Sequence, residues 1–351
     1  MLFDYLQEKG ASRELAELIV EIARAVEEIS IKLVHTDTCK AGSKNVYGEE
    51  QIAMDTASEE IMSRYLKTNP YVFGYCSEEL NEFEKASSDG IFSVFYDPLD
   101  GSSLFDVNLS VGTIVGIYKS RDVFGETPRS QVAALYAVYG PKTTLVISVG
   151  NGVHEFMLTA DGFTLVCEDM KIDGEKKYFA PGNLRATAER EDYFKLVTDM
   201  MREKYTLRYS GGMVPDVNHI LKKGSGIFMY PGMPSAPSGK LRLLYECGPL
   251  AYLVEQAGGA SSDGAMDSAC CSKSCECDGE CDKGCCCGDG CSDGEGCCGS
   301  RCNDGKSCCG GQDCHDFVSI LDLEINSLTQ KTPIFLGAKG EVERAVKALN
   351  A

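Results

Sequence analysis

Residues 97–103, with the sequence DPLDGSS, bring two carboxylates, a glycine and two hydroxyls together in one short segment. Asp97 and Asp100 carry hard oxygen ligands of the kind that Mg²⁺ and Mn²⁺ prefer. Gly101 lets the backbone approach a ligand closely, and the N–H and hydroxyl groups that follow it can bind an anion. The segment therefore indicates a place where a metal ion and a phosphate meet. A capped strand-to-helix turn without any ligand is the alternative.

Further charged side chains stand where they could reach this segment. Asp55 lies on a predicted helix, Glu78 and Glu79 follow the preceding strand-like run, and Arg242 and Glu246 are four residues apart on another predicted helix. Paired strand ends lie about 5 Å apart, and residues at i and i+4 share a helix face. Carboxylates so close together repel one another unless a cation neutralises them. Each residue alone is compatible with an ordinary surface charge, but together they predict a metal site.

The elements that must position these groups are predicted from hydrophobic periodicity and turn residues. Helices are predicted at residues 12–34, about 50–66, about 190–204, 240–259 and 340–349, the fourth with a start or kink at Pro249. Strands are predicted at residues 71–76, 91–96, 111–118, 131–139, 143–149, 154–158, 164–168, 227–230, 317–323 and 333–337, with a loop at 36–48. Asp97 and Asp100 are thus expected immediately after a strand. So many consecutive strands predict a largely antiparallel sheet, and the polar run near residue 176 predicts a boundary between two α/β halves.

Charge and composition exclude several classes of partner. The formal net charge is −19, which argues against nucleic acid and against an anionic membrane surface. No apolar run approaches the roughly 18 residues that a membrane-spanning helix needs. The first residues include Asp4 and Glu8 and lack the pattern of a transit or secretory peptide. We therefore expect a cytoplasmic protein, or a plastid protein if a transit peptide precedes this sequence.

Four segments together resemble one enzyme family. They are CSEE at 76–79, DPLDGSS at 97–103, GGMVPDVNHI at 211–220 and GKLRLLYE at 239–246. They are similar to the sugar bisphosphatases of the fructose-1,6-bisphosphatase class I type and their relatives, the sedoheptulose-1,7-bisphosphatases. The similarity covers nearly the whole chain except residues 265–316. It implies a two-domain layered α/β/α/β/α sandwich, an assembly of two or four identical subunits, and hydrolysis of a sugar 1-phosphate that depends on Mg²⁺, with Mn²⁺ as an alternative.

The resemblance also implies a role for individual residues and for the two halves. Its metal ligands correspond to Glu78, Glu79, Asp97, Asp100, Glu246 and the carbonyl of Leu99. Asp55 and Glu79 correspond to the pair that activates water, and Glu49 stands where the family has an Asp in a catalytic loop. Its substrate-binding residues correspond to Asp100, Gly101, Ser102, Ser103, Arg185, Arg208, Tyr209, Met213, Tyr230, Lys240 and Arg242, with Arg208 lent by a neighbouring subunit. Residues 1–176 would then bind metal and the 1-phosphate, and residues 177–351 the sugar and the distal phosphate.

Two stretches of the second half point to different sugars. FAPGNLRAT at 179–187 resembles the sedoheptulose enzymes and puts Arg185 roughly where a fructose enzyme has a Tyr. IFMYP at 227–231 looks more like the fructose enzymes. We expect sedoheptulose 1,7-bisphosphate as the substrate, with fructose 1,6-bisphosphate or use of both sugars as the alternative.

Residues 265–316 interrupt the family pattern with a cysteine-rich insert. Of the 19 cysteines, 15 lie between residues 270 and 314, many of them adjacent, with almost nothing apolar between them. This composition resembles the metallothioneins and predicts a thiolate cluster for Zn²⁺ or Cu⁺. A disordered or redox-sensitive loop and a disulfide-stapled segment are the alternatives, and a metal-sequestering module on a phosphatase scaffold is the alternative function. The cysteines are Cys270, Cys271, Cys275, Cys277, Cys281, Cys285, Cys286, Cys287, Cys291, Cys297, Cys298, Cys302, Cys308, Cys309 and Cys314.

Overall fold

The long apolar stripe that begins at Leu15 forms the buried face of a helix, as its three-and-four spacing predicts. The computed structural model describes residues 1–35, 40–44, 50–80, 82–266 and 317–351. The α-helices of these residues are α1 (Leu2–Glu8), α2 (Arg13–His35), α3 (Ala53–Thr68), α4 (Ser102–Phe105), α5 (Glu191–Arg202), α6 (Met213–Lys223), α7 (Gly248–Gln256) and α8 (Lys339–Leu349). A π-helix (Leu243–Cys247) precedes α7, and 3₁₀ turns occur at Pro128–Ser130, Leu184–Ala188 and Ile320–Asp322. No helix of the described residues is both long and apolar enough to span a membrane.

The strands are assembled into two main sheets and one hairpin. They are β1 (Lys40–Lys44), β2 (Glu50–Ile52), β3 (Val72–Ser77), β4 (Glu84–Lys85), β5 (Phe92–Asp100), β6 (Val111–Tyr118), β7 (Gln131–Tyr139), β8 (Thr143–Ser148), β9 (His154–Thr159), β10 (Gly162–Cys167), β11 (Tyr178–Pro181), β12 (Thr206–Leu207), β13 (Ile227–Tyr230), β14 (Ala260–Ser262) and β15 (Ile334–Gly337). The first sheet has the order β10-β9-β8-β7-β6-β5-β3-β4, and the second β12-β11-β13-β15-β14.

The first sheet is antiparallel except at one pair of strands. β3 and β5 run parallel, with Ser77 opposite Tyr96, whereas its other neighbouring pairs are antiparallel. The carboxyl ends of β3 and β5 therefore leave the sheet at the same edge. In the second sheet, β11 is parallel to both β12 and β13, and β15 is antiparallel to its two neighbours.

Helices and sheets alternate in five layers. Helices α1, α2 and α3 cover the outer face of the first sheet, with Ile22 and Val94 in the apolar core between them. Helices α6 and α7 lie between the sheets and contact strands of both. Helices α5 and α8 cover the far face of the second sheet, where Tyr193 and Phe335 are buried. The predicted α/β/α/β/α sandwich is confirmed.

Several predicted boundaries are wrong, each for a local reason. β5 does not end at residue 96 but continues through Asp100, because an irregular register between Asp97 and Asp100 accommodates Pro98 without breaking the pairing with β6. Residues 50–52 pair with β1, so the helix predicted from residue 50 starts at Ala53 and the predicted loop 36–48 contains β1.

Two predictions in the second half also fail. Residues 317–323 do not form a strand, because the Ser319 hydroxyl accepts the N–H of Leu321 and begins a 3₁₀ turn. Residues 240–259 are not one continuous helix, and the start or kink predicted at Pro249 agrees with the first residue of α7, Gly248. The chain is extended at Arg242, the π-helix follows, and α7 starts at Gly248. A Cβ at Gly248 would lie 2.8 Å from the Leu243 carbonyl oxygen, so this junction needs glycine.

Candidate active site

The parallel pairing of β3 and β5 brings together the carboxylates that follow or end these strands. The Glu78 N–H donates to the Tyr96 carbonyl at 3.1 Å, which extends the pairing one residue beyond β3. Glu78 and Asp97 therefore leave the same edge of the sheet side by side, as their sequence positions predict. The Leu99 N–H donates to Asp97 Oδ1 at 2.9 Å and holds that carboxylate in place.

Three carboxylates converge at this edge. Oxygen atoms of Glu78, Asp97 and Glu246 all lie within 4.8 Å of one another, and the side chains of Asp97 and Glu246 are buried. Burial, followed by repulsion from Glu78, raises the pKa of Asp97 and of Glu246 well above their ordinary values. A close group of buried carboxylate oxygens is the donor set that a hard divalent cation requires. The residues present therefore fit such a cation.

Arg242 is placed differently from the sequence prediction. It precedes the π-helix instead of sharing a helical face with Glu246, and its backbone N–H donates to Glu246 Oε2 at 2.6 Å. Its guanidinium Nη1 forms a partly buried ion pair with Glu78 Oε1. Arg242 thus supplies positive charge directly beside the carboxylates. π-Helical turns often occur at functional sites, but no feature of this sequence predicted one here.

Asp100 joins the first sheet to the second half of the chain. Its carboxylate accepts the N–H of Met213 at 3.3 Å and the N–H of Val214 at 2.7 Å, so it binds the N-terminus of α6. Burial raises the pKa of Asp100 to about 6, although both hydrogen bonds act in the opposite direction. Met213, expected to contact the sugar through its backbone, is buried and directs its N–H to Asp100.

The turn after β5 needs its glycine. Gly101 has a φ of +77°, a conformation that other residues rarely adopt. A Cβ at Gly101 would also lie 3.3 Å from the Cα of Gly212. The first N–H groups of a helix have no partner within that helix, and α4 begins at Ser102, which is partly buried, followed by Ser103, which is exposed. The predicted phosphate-binding residues therefore form a turn beside the carboxylates.

The residues predicted to activate water approach from α3 and from the end of β3. Asp55 is buried in the first turn of α3, which packs against β3 and β5. Glu79 is partly buried, and its N–H donates to Ser77 Oγ at 3.1 Å. Glu59, one turn after Asp55, is buried close to Glu79. Its i+4 spacing from Asp55 was a signal for this position that the sequence analysis missed. Glu49 and the fifteen cysteines of the insert lie outside the described residues.

Three of the residues predicted to bind the substrate in the second half lie close together, Arg185, Tyr209 and Tyr230. The Tyr209 hydroxyl donates to the Gly182 carbonyl at 2.9 Å, and a Cβ at Gly182 would lie 2.9 Å from the Tyr230 ring. Burial raises the pKa of both tyrosines, and the charge of Arg185 acts in the opposite direction on both, so these three side chains share one region.

Two further predicted substrate-binding residues are exposed, Lys240 and Arg208. Arg208 lies over the ring of Tyr178 at 5.9 Å from its centroid, while its Nη1 donates to the Leu207 carbonyl at 2.9 Å.

Comparison with known proteins agrees with this geometry. Residues 3–168 match the model of the fructose-1,6-bisphosphatase N-terminal domain, and residues 172–271 match that of its C-terminal domain. A class 1 fructose-1,6-bisphosphatase of Trichlorobacter lovleyi is 39% identical over 352 residues, covering 99% of this chain and 94% of that protein. The chain belongs to the fructose-1,6-bisphosphatase family. It is accordingly a sugar bisphosphatase, a phosphoric monoester hydrolase.

Relatives in the family carry both substrate names. The chloroplastic sedoheptulose-1,7-bisphosphatase of Spinacia oleracea is 43% identical over 269 residues, covering 75% of this chain and 69% of that protein. The crystal structure of Leishmania major fructose-1,6-bisphosphatase in holo form superposes with a TM-score of 0.79 at 26% identity, covering 100% of this chain and 98% of that one. Enzymes of this family use divalent metal ions, which agrees with the three converging carboxylates.

Proposed function

We propose that the protein hydrolyses the 1-phosphate of sedoheptulose 1,7-bisphosphate with the help of Mg²⁺ or Mn²⁺, giving sedoheptulose 7-phosphate and phosphate. The observation that carries this proposal is the convergence of Glu78, Asp97 and Glu246 next to the turn at residues 101–103. Phosphoryl transfer needs positive charge and oriented N–H groups around the phosphoryl oxygens. The carboxylate group would hold the cation, and the turn would hold the phosphate.

Each predicted residue has a chemical task in this proposal. Glu78, Glu79, Asp97, Asp100, Glu246 and the Leu99 carbonyl are the cation ligands. A cation bound there supplies positive charge that activates water and stabilises the leaving oxygen. A carboxylate oxygen of Asp55 or Glu79 takes the proton of the attacking water, and Glu49, which lies outside the described residues, would assist as the family implies. The N–H and hydroxyl groups of residues 101–103, together with the Arg242 guanidinium, orient the phosphoryl group.

The second half of the chain would bind the rest of the substrate. Tyr209, Tyr230 and Arg185 share one region, and we propose that they hold the distal phosphate together with Lys240. Met213 would contact the sugar. The exposed side chain of Arg208 suits the role that the family implies, in which it reaches the active site of another copy in a homodimer or homotetramer. On this view residues 1–176 and 177–351 act as two domains, the second interrupted by residues 265–316.

The choice of sugar is tested by kinetics on both substrates. We expect kcat/KM for sedoheptulose 1,7-bisphosphate to exceed that for fructose 1,6-bisphosphate by at least about tenfold, equivalent to about 1.4 kcal/mol. Arg185→Met should lower kcat/KM on the seven-carbon substrate because it removes a cation near the distal phosphate. Lys195→Met, which removes an exposed cation from α5, is the matched control and should leave kcat/KM unchanged. Equal or faster turnover of the six-carbon sugar would overturn this preference.

We also propose a second role, binding of Zn²⁺ or Cu⁺ by the cysteine-rich insert. The density and adjacency of its 15 cysteines support this role, because neighbouring thiolates favour shared soft metals. Protein purified under reducing conditions with either metal should retain at least about one equivalent per chain, measured by elemental analysis. Alkylation of the thiols should release that metal and leave the carboxylate site intact. Reduced protein that retains no Zn²⁺ or Cu⁺ would contradict the proposal.

A further inference from the structure

One buried carboxyl group contacts both β3 and β5, the strands that lead to Glu78 and Asp97. Glu59 projects from α3, and its Oε1 accepts a hydrogen bond from the Tyr96 hydroxyl at 2.7 Å. Tyr96 is fully buried in β5 and lies directly opposite Ser77 of β3. The Ser77 hydroxyl lies beside the same carboxyl group. Glu59 therefore meets both members of one cross-strand pair.

The two residues that Glu59 contacts lie directly before predicted cation ligands. Ser77 immediately precedes Glu78, and Tyr96 immediately precedes Asp97. Ser77 Oγ also accepts the N–H of Glu79. A shift of either strand end relative to the other would therefore move predicted cation ligands. Glu59 also lies one turn beyond Asp55 on α3, so the same contact fixes the helix that carries the predicted water-activating carboxylate.

The carboxyl group of Glu59 is enclosed by protein. Its Oε2 is buried and has no hydrogen-bond partner among the described residues. Burial raises the pKa of Glu59 to about 7, with a smaller contribution from the charge of Glu79, while the Ser77 and Tyr96 hydroxyls act in the opposite direction. Burial thus favours the neutral form of this carboxyl group.

We propose that Glu59 is a positioning residue of the active site, which holds the ends of β3 and β5 and the first turns of α3 in the arrangement that cation binding and water activation require. This inference rests on the proposed function. Positioning groups behind metal ligands typically change metal affinity or activity by about 10- to 100-fold when they are removed.

The test compares two substitutions of nearly equal volume. Glu59→Gln keeps a carbonyl oxygen for the Tyr96 hydroxyl, whereas Glu59→Met fills the same space without any acceptor. We expect Glu59→Met to lower kcat and weaken Mn²⁺ binding, measured by titration calorimetry, by about 10- to 100-fold, with KM for the sugar bisphosphate changed less than about twofold. Glu59→Gln should remain within about threefold of the wild-type protein in every quantity. Equal values of kcat and of Mn²⁺ affinity in the two variants would show that Glu59 contributes only packing, and the proposal would be wrong.

Matched controls separate this effect from other causes. Glu60 is the exposed neighbour on α3, and Glu60→Gln and Glu60→Met should leave kcat and Mn²⁺ affinity unchanged. If Glu59→Met does not fold, Tyr96→Phe tests the same contact, since it removes only the hydroxyl that donates to Glu59. It should weaken Mn²⁺ binding and lower kcat, and wild-type values would overturn the proposal. Absence of hydrolysis by the wild-type protein would refute the proposed function, while the Mn²⁺ affinities would still test Glu59.

Discussion

Removal of divalent cations with EDTA is expected to lower the rate of sugar-bisphosphate hydrolysis by at least about 1,000-fold, and Mg²⁺ or Mn²⁺ is expected to restore it. The reason is the group formed by Glu78, Asp97 and Glu246, whose oxygens lie within 4.8 Å of one another. Without a cation these carboxylates, two of which are buried, repel one another and also repel the phosphate. The measurement is the release of inorganic phosphate before and after the chelator is removed.

The stability of the protein provides an independent measurement of the same site. A cation that binds the folded chain and not the unfolded chain raises the free energy of unfolding, so Mg²⁺ should raise the Tm of chelated protein. EDTA saturated beforehand with Mg²⁺ is the control and should leave both activity and Tm unchanged. Full activity after exhaustive chelation would show that the carboxylate group has no part in catalysis through a cation.

Asp97→Asn should reduce kcat by about 1,000-fold or more, because it removes a charged ligand from the centre of the site. The substitution keeps an oxygen that can accept the Leu99 N–H, so the local backbone has no reason to rearrange. In the metal-free protein it also removes a buried carboxyl group whose ionised form is disfavoured by burial and by repulsion from Glu78, Asp100 and Glu246. The Tm of the metal-free variant should therefore equal or exceed that of the metal-free wild-type protein.

A lower kcat together with an equal or higher Tm distinguishes loss of function from loss of structure. Asp89→Asn makes the same chemical change at an exposed turn before β5 and should leave both kcat and Tm unchanged. Mg²⁺ should raise the Tm of the Asp97→Asn variant less than that of the wild-type protein. A wild-type kcat in the Asp97→Asn variant would show that Asp97 is not a cation ligand. A Tm below that of the metal-free wild-type protein would contradict the account of charge repulsion.

Local sequence patterns predicted most of the first sheet and failed at its most important edge. Alternating and continuous apolar runs located β6 to β10, because these strands are bounded by clear turn residues. β5 was predicted too short, since its last residues, Asp97 to Asp100, contain charges and a proline that disfavour strands. Their strand conformation depends on pairing with β6, a contact between residues that local propensity does not describe.

The surroundings of Arg242 were predicted less well, for a related reason. A spacing of four residues indicates a shared helical face only if the intervening backbone is helical. Here the chain is extended at Arg242, and a π-helix follows it. The ion pair between Arg242 and Glu78 joins residues 164 positions apart, and no local pattern contains such a contact.

The sequence by itself determined the chemistry of the candidate site, because DPLDGSS and the acidic residues near position 78 specify hard oxygen ligands, a glycine turn and anion-binding groups whatever their surroundings. Only the tertiary structure decided how these groups are held. The parallel pairing of β3 with β5 sets Glu78 beside Asp97, Asp100 binds the N-terminus of α6, and Glu59 connects α3 to both strand ends. Burial and charge repulsion act over a few ångströms, so they depend on which distant segments become neighbours.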